Sequence, residues 1–320
     1  MIYQAFYGLT DMPFRPTPDP RYLFASGRHR LALSQLTYAV GARTGLIVLT
    51  GEVGTGKTTL LRTLLQGLGP TVPVAYVHNA ALTMEGLVEY MLGDWGVSSS
   101  ATTHAERLSV LDAFLLGHRE RGLRPLLVID EAHTLSVETL ETLGRLPDTH
   151  LQILLVGQPE LRDNFDLPEL QHITQRISQR CHLAPLTTDE TRLYIRHRLA
   201  VAGAPDPGLF TDGAIQKIAD YTAGTPRVIN MVCDLCLVSG YADQTPRIDA
   251  AAVTSAIAYL EDGERSGTRL TRLPIARLGR LASPMAIWAA RGGIGLLVMI
   301  LVGLLAFAVN AMGIRVPGSP

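Results

Sequence analysis

Short, continuously apolar runs alternate with amphipathic stretches through the first half of the chain. The apolar runs that predict β-strands lie at 46–49, 74–77, 125–130, 151–156 and, more briefly, 182–183. Apolar residues at helical spacing predict helices at 28–41, 59–65 and 105–121. Strands without a polar face are typical of a parallel sheet whose two faces are covered by helices. The alternation therefore predicts an α/β fold with helical crossovers.

The pattern changes on either side of this region. Beyond Pro185 the periodicity predicts helices only, at 189–200, 212–222, 226–239 and 249–260. Prolines and aromatic residues dominate the first 27 positions, which favours an extended segment held by its rings. We expect an extended N-terminal segment at 1–27, an α/β domain at 28–185 and a small α-helical domain at 186–260.

The last part of the chain predicts a membrane anchor. Residues 292–312 form a stretch of 21 without a charge, and at about 1.5 Å per residue a helix of that length spans about 30 Å. A buried core helix is the alternative. The linker at 261–291 carries six arginines, which suit either solvent or anionic headgroups. Because positive charge precedes the span, we expect a single-pass membrane protein with its large N-terminal part in the cytoplasm.

Composition narrows the classes of function. The formal net charge is −1, so the chain as a whole gives no argument for binding nucleic acid. The three cysteines do not indicate a disulfide framework and fit a reducing compartment. Cys233 and Cys236 form a C-x-x-C pair on one face of an apolar predicted helix. Buried small hydrophobes are the simpler interpretation, and a metal or redox role is the alternative.

A phosphate-binding loop follows the first predicted strand. The run Gly51-Glu52-Val53-Gly54-Thr55-Gly56-Lys57-Thr58 fits the pattern G-x-x-x-x-G-K-[ST] and opens a predicted helix that continues through Thr59. Glycines let backbone N–H groups converge on one anion, to which the helix N-terminus adds partial positive charge. Lys57 is expected to reach the β- and γ-phosphates of ATP, and Thr58 to ligate Mg²⁺. The alternative is an ordinary glycine-rich turn.

An acidic pair ends the third predicted strand. Parallel strands direct their carboxyl ends to one crevice, so Asp130 and Glu131 are expected beside the phosphate loop. Asp130 would hold Mg²⁺, and Glu131 would activate the attacking water as a general base. The alternative is a pair of surface acids. The pair opens the spelling Asp-Glu-Ala-His, to which we assign no function because no other helicase motif accompanies it.

Further polar residues are candidates by position. Gln158 follows the fourth strand, where it could contact the γ-phosphate or the water, or be a turn residue. Asn79 follows the second strand, where it could hold Glu131 by a hydrogen bond. Arginines stabilise the charge of a phosphoryl-transfer transition state. The arginines considered on this ground are Arg176, Arg180 and Arg227.

Residues 1–260 resemble the AAA+ superfamily, and in particular the ExeA/GspA-like secretion ATPases. The matching segments, besides the phosphate loop, are Phe6-Tyr7-Gly8-Leu9, Pro18-Asp19-Pro20-Arg21-Tyr22-Leu23, Leu127-Val128-Ile129-Asp130-Glu131-Ala132-His133, Leu155-Val156-Gly157-Gln158-Pro159-Glu160-Leu161, Gln175-Arg176-Ile177 and Gly224-Thr225-Pro226-Arg227-Val228-Ile229-Asn230. The opening segment and the Gly-Gln-Pro-Glu-Leu run are the most specific of these.

This resemblance implies roles for the remaining candidates. Gln158 falls at the first sensor position, and Arg227 at the second, in a helical lid. Arg176, with Arg180 in reserve, falls where an arginine finger would reach a neighbour's nucleotide in a homo-oligomeric ring. Because the chain ends at Pro320, the resemblance favours the short exosortase- or pilus-associated members over those with a periplasmic peptidoglycan-binding domain.

The resulting hypothesis, with the resemblance, is a P-loop AAA+ ATPase anchored by a single span in the bacterial inner membrane. It would couple MgATP hydrolysis to assembly or remodelling of an envelope secretion, pilus or exopolysaccharide-export complex. One alternative is a nucleic-acid-associated AAA+ ATPase of the transposition-helper or initiator type, against which the net charge and the predicted span argue. A second alternative is a nucleotide-gated scaffold that binds ATP and barely hydrolyses it.

Overall fold

The computed structural model describes residues 3–69, 72–78, 82–146 and 150–265. The chain as far as Ala258 forms one compact unit, and of the unit that begins at Tyr259 only the end of a helix is described. Asn79, the predicted span at 292–312 and most of the predicted linker lie outside the described residues. None of the helices within the described ranges has the length and apolar character needed to cross a bilayer.

Five parallel strands form a single sheet in the described part of the chain, in the order β2-β3-β4-β1-β5. The strands are β1 (Leu46–Gly51), β2 (Val74–Val77), β3 (Leu126–Ile129), β4 (Gln152–Gly157) and β5 (Ile177–Leu183). The predicted parallel sheet is confirmed. β5 begins at Ile177, five residues before the predicted start at His182. The prediction was too short because polar residues along this edge strand interrupt its apolar pattern.

Helices cover both faces of the sheet. They are α1 (Gly27–Gly41), α2 (Lys57–Gly67), α3 (Met84–Asp94), α4 (His104–Glu120), α5 (Val137–Arg145) and the short α6 (Glu160–Asn164) and α7 (Gln171–Thr174). A 3-10 turn precedes α1 at Pro20–Tyr22, and another follows β3 at Ala132–Thr134. Helices α3 and α5 were not among the predicted elements, although each is capped by a threonine or serine side chain that accepts from a first-turn N–H.

Two hydrophobic cores lie on opposite faces of the sheet. Along β1, Ile47 and Leu49 pack with α1 and α2, whereas Leu46 and Val48 pack with α3, α4 and α5. The same alternation runs through β3 and β4, because successive strand residues point to opposite faces. Burial on both faces explains why these strands are continuously apolar.

Helices α8 (Thr188–Val201), α9 (Asp212–Thr222), α10 (Pro226–Ala242) and α11 (Ala250–Arg265) follow the sheet. We refer to α8, α9 and α10 as the helical bundle. Cys233 and Cys236 of α10 are fully buried free thiols, and burial raises the pKa of Cys236 to about 12. No group of three potential metal ligands occurs among the described residues. The complete burial of Cys233 and Cys236 in α10 is what small hydrophobic core residues show.

The N-terminal segment contacts both the bundle and the sheet domain. The Tyr3 hydroxyl donates to Asp234 of α10 at 2.5 Å, and the Phe14 ring packs edge-on against Phe210 at 6.0 Å. Further along, the Pro18 carbonyl accepts from Arg62 of α2 at 2.9 Å. Turns and the 3-10 turn, rather than a fully extended chain, make up this segment.

His29 fastens the start of α1 to the phosphate loop. Its imidazole Nε2 lies 3.1 Å from the Thr55 carbonyl, and its Nδ1 lies 2.8 Å from the hydroxyl of Ser26, which caps α1. A carbonyl only accepts, so Nε2 carries the proton. Burial lowers the pKa of His29, which is 4% exposed.

The Gly224 backbone joins the bundle to the end of the sheet. Its φ is +73°, its carbonyl accepts from the Leu186 N–H at 2.9 Å, and a Cβ placed on it would lie 1.8 Å from the Leu186 carbonyl oxygen. Both the conformation and the space require glycine.

We expect Gly224→Ala to lower the free energy of unfolding by about 1–3 kcal/mol, because the added methyl group meets backbone in a left-handed conformation. Gly117→Ala is the matched control, since Gly117 lies inside α4 and a Cβ there meets nothing within 4 Å. The control should be neutral or stabilising by up to about 1 kcal/mol. Urea unfolding measures both, and equal stabilities of the two variants would contradict the assignment.

His29 predicts a pH dependence of stability. Because its folded-state pKa is lowered, its neutral form contributes full stability above the unfolded pKa near 6.5, and that stability is lost as the pH falls below it. His29→Gln keeps a donor near the Nε2 position and does not titrate. Urea unfolding at about pH 7.5 and about pH 5.5 should show a smaller loss for this variant than for the wild type. Equal losses would exclude His29 as the source.

Candidate nucleotide-binding site

Glycines allow the loop after β1 to approach its neighbours closely. Gly54 and Gly56 have φ values of +81° and +100°. A Cβ on Gly54 would lie 2.5 Å from the Arg227 Cβ, and one on Gly51 would lie 2.6 Å from the Leu183 carbonyl oxygen. Glycine is therefore required at these positions, in a loop of the kind whose backbone N–H groups bind anions.

Lys57 is the first residue of α2 and is 6% exposed. Its ammonium group donates to the Gly51 carbonyl at 2.7 Å and to the Glu52 carbonyl at 3.0 Å, so it is held across the loop. Burial lowers the pKa of Lys57, and the charges of Glu131 and Asp130 oppose that shift. The loop, the lysine and the helix N-terminus together form a positive, hydrogen-bond-donating cradle.

Asp130, which follows β3, is hydrogen-bonded to residues of α2 and β2. Its Oδ2 accepts from the Thr58 hydroxyl of α2 at 3.2 Å and from the Tyr76 hydroxyl of β2 at 3.0 Å. Burial, followed by the charge of Asp130, raises the pKa of Tyr76. The hydroxyl and the carboxylate predicted to bind Mg²⁺ are therefore adjacent, although 72 positions separate them in sequence. Tyr76 was not among the predicted site residues; its hydroxyl is a polar group on the otherwise apolar strand β2.

Glu131 adopts a left-handed backbone conformation, with φ of 55° and ψ of 34°. Its N–H donates to the Asp130 side chain at 3.0 Å, and its carbonyl accepts from Thr134. Its side chain is 47% exposed and lines the cavity above the loop. Such conformations cost about 1–3 kcal/mol in non-glycine residues and are concentrated at functional sites.

Gln158 follows β4 and points its amide at a residue that the sequence analysis left without a role. The Gln158 Nε2 lies 2.8 Å from the His133 Nε2, and the His133 Nδ1 lies 3.5 Å from the Glu131 carboxylate. The spelling Asp-Glu-Ala-His, set aside at first, thus contains a histidine that contacts two predicted site residues.

Arg227 reaches the loop from the bundle. It lies in the first turn of α10, its N–H donates to the Gly54 carbonyl at 3.2 Å, and its side chain lines the cavity. This contact places the N-terminus of α10 beside the phosphate loop. The N–H groups and guanidinium group there favour a negatively charged ligand.

The two arginine-finger candidates lie elsewhere. Arg176 precedes β5 and donates to the Leu146 carbonyl at 2.7 Å, while Arg180 is exposed on the edge strand and donates to the Thr174 carbonyl at 3.4 Å. Neither is among the residues that line this chain's own cavity. Their assignment to a neighbour's nucleotide stays a prediction.

A cavity of about 400 Å³ extends from the loop between the N-terminal segment and the bundle. Besides the loop residues, its lining includes the rings and apolar groups of Pro16, Pro18, Tyr22, Phe24, Leu186 and Tyr194. The Arg198 guanidinium lies over the Tyr22 ring at 4.7 Å and donates to the Tyr194 hydroxyl at 2.9 Å. A lining that combines polar donors with aromatic rings fits a molecule with a charged and a planar part.

The site fits ATP and Mg²⁺. The predicted nucleotide-binding residues surround one concave region or directly support it; they are Gly51, Glu52, Val53, Gly54, Thr55, Gly56, Lys57, Thr58, Thr59 and Asp130. The donors at the loop suit phosphate oxygens, and the oxygen ligands at Thr58 and Asp130 are the type that Mg²⁺ prefers.

Comparison with known proteins agrees with this geometry. The family model described as an AAA domain matches residues 41–165, which include β1, the phosphate loop, Asp130 and Glu131. General secretion pathway protein A of Aeromonas hydrophila is 36% identical over 295 residues, which cover 90% of this chain and 54% of that protein. The chain thus spans about half the length of that relative.

Solved structures show the same fold at low identity. The ORC1 protein of Aeropyrum pernix, in complex with DNA, is 18% identical with a TM-score of 0.59, over 80% of this chain and 71% of that chain. A Walker-type ATPase of Pyrococcus abyssi is 16% identical with a TM-score of 0.56, over 80% and 78%. The family model and the relative in Aeromonas hydrophila show that the chain carries an AAA+ ATPase domain and that its sequence is similar to the ExeA/GspA-like family of General secretion pathway protein A.

Proposed function

We propose that this chain binds MgATP in the cavity above the phosphate loop and hydrolyses it. The observation that carries the proposal is the contact between the Thr58 hydroxyl and Asp130 beside the buried Lys57. It brings together a cation for phosphate and two oxygen ligands for a metal at the carboxyl ends of β1 and β3. When bound, Mg²⁺ would neutralise phosphate charge as the γ-phosphoryl group leaves.

The chain's own residues would divide the work. The loop amides and Lys57 hold the phosphates in position, and Glu131 accepts the proton of the attacking water. Glu131 suits this role because its carboxylate lines the cavity and is only half exposed. Gln158, at the end of β4, orients the water or senses the terminal phosphate.

The helical bundle would act as a lid that responds to the nucleotide. Arg227 and the N-terminus of α10 contact the loop through the Gly54 carbonyl. A change in the charge held by the loop therefore acts on the bundle at this contact. The left-handed Gly224 connection is where the bundle meets the end of the sheet, and it would direct such motion.

We propose that this lid motion assembles or remodels a protein complex of the cell envelope. The relative in Aeromonas hydrophila is named for the general secretion pathway, and this chain aligns with it over 90% of its own length. Secretion, pilus and polysaccharide-export proteins are the proposed partners, together with further copies of this chain in a ring. Arg176 or Arg180 would then contribute to the neighbouring nucleotide site.

Proteins that act on nucleic acids share this fold, but no specific feature of the described residues favours that function here. The likeness to ORC1 in complex with DNA is 18% in identity and indicates fold alone. The formal net charge of −1 does not favour a polyanion. Hydrolysis that is unchanged by added DNA would agree with the secretion proposal.

Glu131→Gln tests the chemical part of the proposal. It should keep ATP affinity within about threefold of the wild type and lower turnover at least about 100-fold, because the water loses its base while the phosphate cradle is intact. Lys57→Ala should lose both binding and turnover. Glu120→Gln, a change at the exposed end of α4, is the matched control and should match the wild type. Isothermal titration and phosphate release measure the two quantities; wild-type turnover in Glu131→Gln would remove Glu131 from the mechanism.

The membrane anchor is tested by fractionation. We propose that residues 292–312 hold the chain in the inner membrane, so the full chain should sediment with membranes and resist extraction at high pH. A chain that stops after Arg265 should be recovered in the supernatant with its ATP affinity intact. Recovery of the full chain in the supernatant would refute the anchor.

A further inference from the structure

His133 lies between the two residues that the proposed function places around the attacking water. Its Nε2 is 2.8 Å from the Gln158 side-chain nitrogen, and its Nδ1 is 3.5 Å from the Glu131 carboxylate. The imidazole is 15% exposed, whereas the Glu131 side chain is 47% exposed. The largely buried His133 ring therefore lies between Gln158, after β4, and Glu131, after β3.

The donor and acceptor chemistry gives this bridge a direction. An amide NH₂ only donates, so the contact with Gln158 requires the His133 Nε2 to accept. In a neutral ring the proton then lies on Nδ1, where it faces the Glu131 carboxylate. The Gln158 backbone N–H also points at Nδ1, at 3.5 Å, and that contact needs Nδ1 to accept. The side-chain contact at 2.8 Å is the shorter of the two, so we take it to decide the tautomer. A hydrogen bond from Gln158 to Nε2 and a 3.5 Å approach of Nδ1 to the Glu131 carboxylate therefore connect the two residues through His133.

The backbone around His133 limits how the ring can move independently. The ring belongs to the 3-10 turn Ala132–Thr134, which is closed by two hydrogen bonds from Thr134 to the Glu131 carbonyl at 3.0 Å and 2.9 Å. A Cβ on Gly157 would lie 3.2 Å from the His133 backbone nitrogen, so β4 and this turn are in close contact. A displacement of Gln158 is thus transmitted to a turn that begins at Glu131.

We propose that His133 is a positioning residue that couples the amide of Gln158 to the carboxylate of Glu131. The inference rests on the proposed function for its consequence in catalysis, because Gln158 and Glu131 act there on phosphate and water. When Gln158 turns its amide toward phosphate, the hydrogen bond that fixes the Nδ1–H tautomer is lost, and His133 no longer holds the Glu131 carboxylate at its side. The orientation of the general base then depends on what Gln158 contacts.

The tautomer of His133 tests the link without any nucleotide. Nitrogen NMR of the imidazole rings in the full chain at a pH where they are neutral distinguishes Nδ1–H from Nε2–H, and the signal missing in His133→Asn identifies the ring. We expect Nδ1–H in the wild type and a shift toward Nε2–H in Gln158→Leu. Nε2–H in the wild type, or no response to Gln158→Leu, would overturn the proposal.

Kinetics test the consequence. His133→Ala should lower single-turnover hydrolysis about 10- to 100-fold and change ATP affinity less than about threefold, because the base is misplaced while the cradle is untouched. Combining His133→Ala with Gln158→Leu should be no slower than the slower single variant, since both interrupt one link. Multiplicative effects would overturn the coupling.

Conservative variants separate the two contacts. His133→Gln keeps a polar group near the Nε2 position and His133→Asn keeps one near the Nδ1 position, so each should retain only one side of the bridge and be slower than the wild type. Full activity in either variant would show that the bridge is not required. Absence of ATP turnover in the wild type would refute the proposed function alone, because the NMR measurement still decides whether the link exists.

Discussion

Parallel hydrogen bonding between β3, β4 and β1 is the constraint on which the site depends. Because these neighbouring strands run in the same direction, Asp130, Gln158 and the phosphate loop emerge together from one edge of the sheet. Residues about 30 to 100 positions apart become neighbours without any long-range element other than the sheet. The continuous burial of all three strands stabilises that register, since a slip by one residue would exchange the two hydrophobic faces.

The phosphate loop is held from two further directions. His29 of α1 bonds the Thr55 carbonyl, and Arg227 of α10 bonds the Gly54 carbonyl. Neither interaction is between strands, so each can respond to the loop without disturbing the sheet. The loop is therefore the point at which α1, the sheet and the helical bundle meet.

Much of this architecture could be predicted from sequence, and the remainder could not for identifiable reasons. Buried strands can be recognised in the sequence because both of their faces are apolar. The spacing of glycines before Lys57 predicts a phosphate-binding loop. The edge strand β5 was underestimated because its solvent-facing positions are polar. Tyr76 and His133 went unassigned because their partners, Asp130 and Gln158, are distant in sequence, and only the packed strands show that they touch.

The anchors of the N-terminal segment set a limit on separation. The Phe14 ring is fixed to Phe210 beside the bundle, and the Pro18 carbonyl is fixed to Arg62 of the sheet domain. Only four peptide links join these two points, and fully extended they reach about 14 Å. If these two points moved further apart than this, the aromatic contact or the hydrogen bond would have to break, so the segment limits how far Phe210 and α2 can separate.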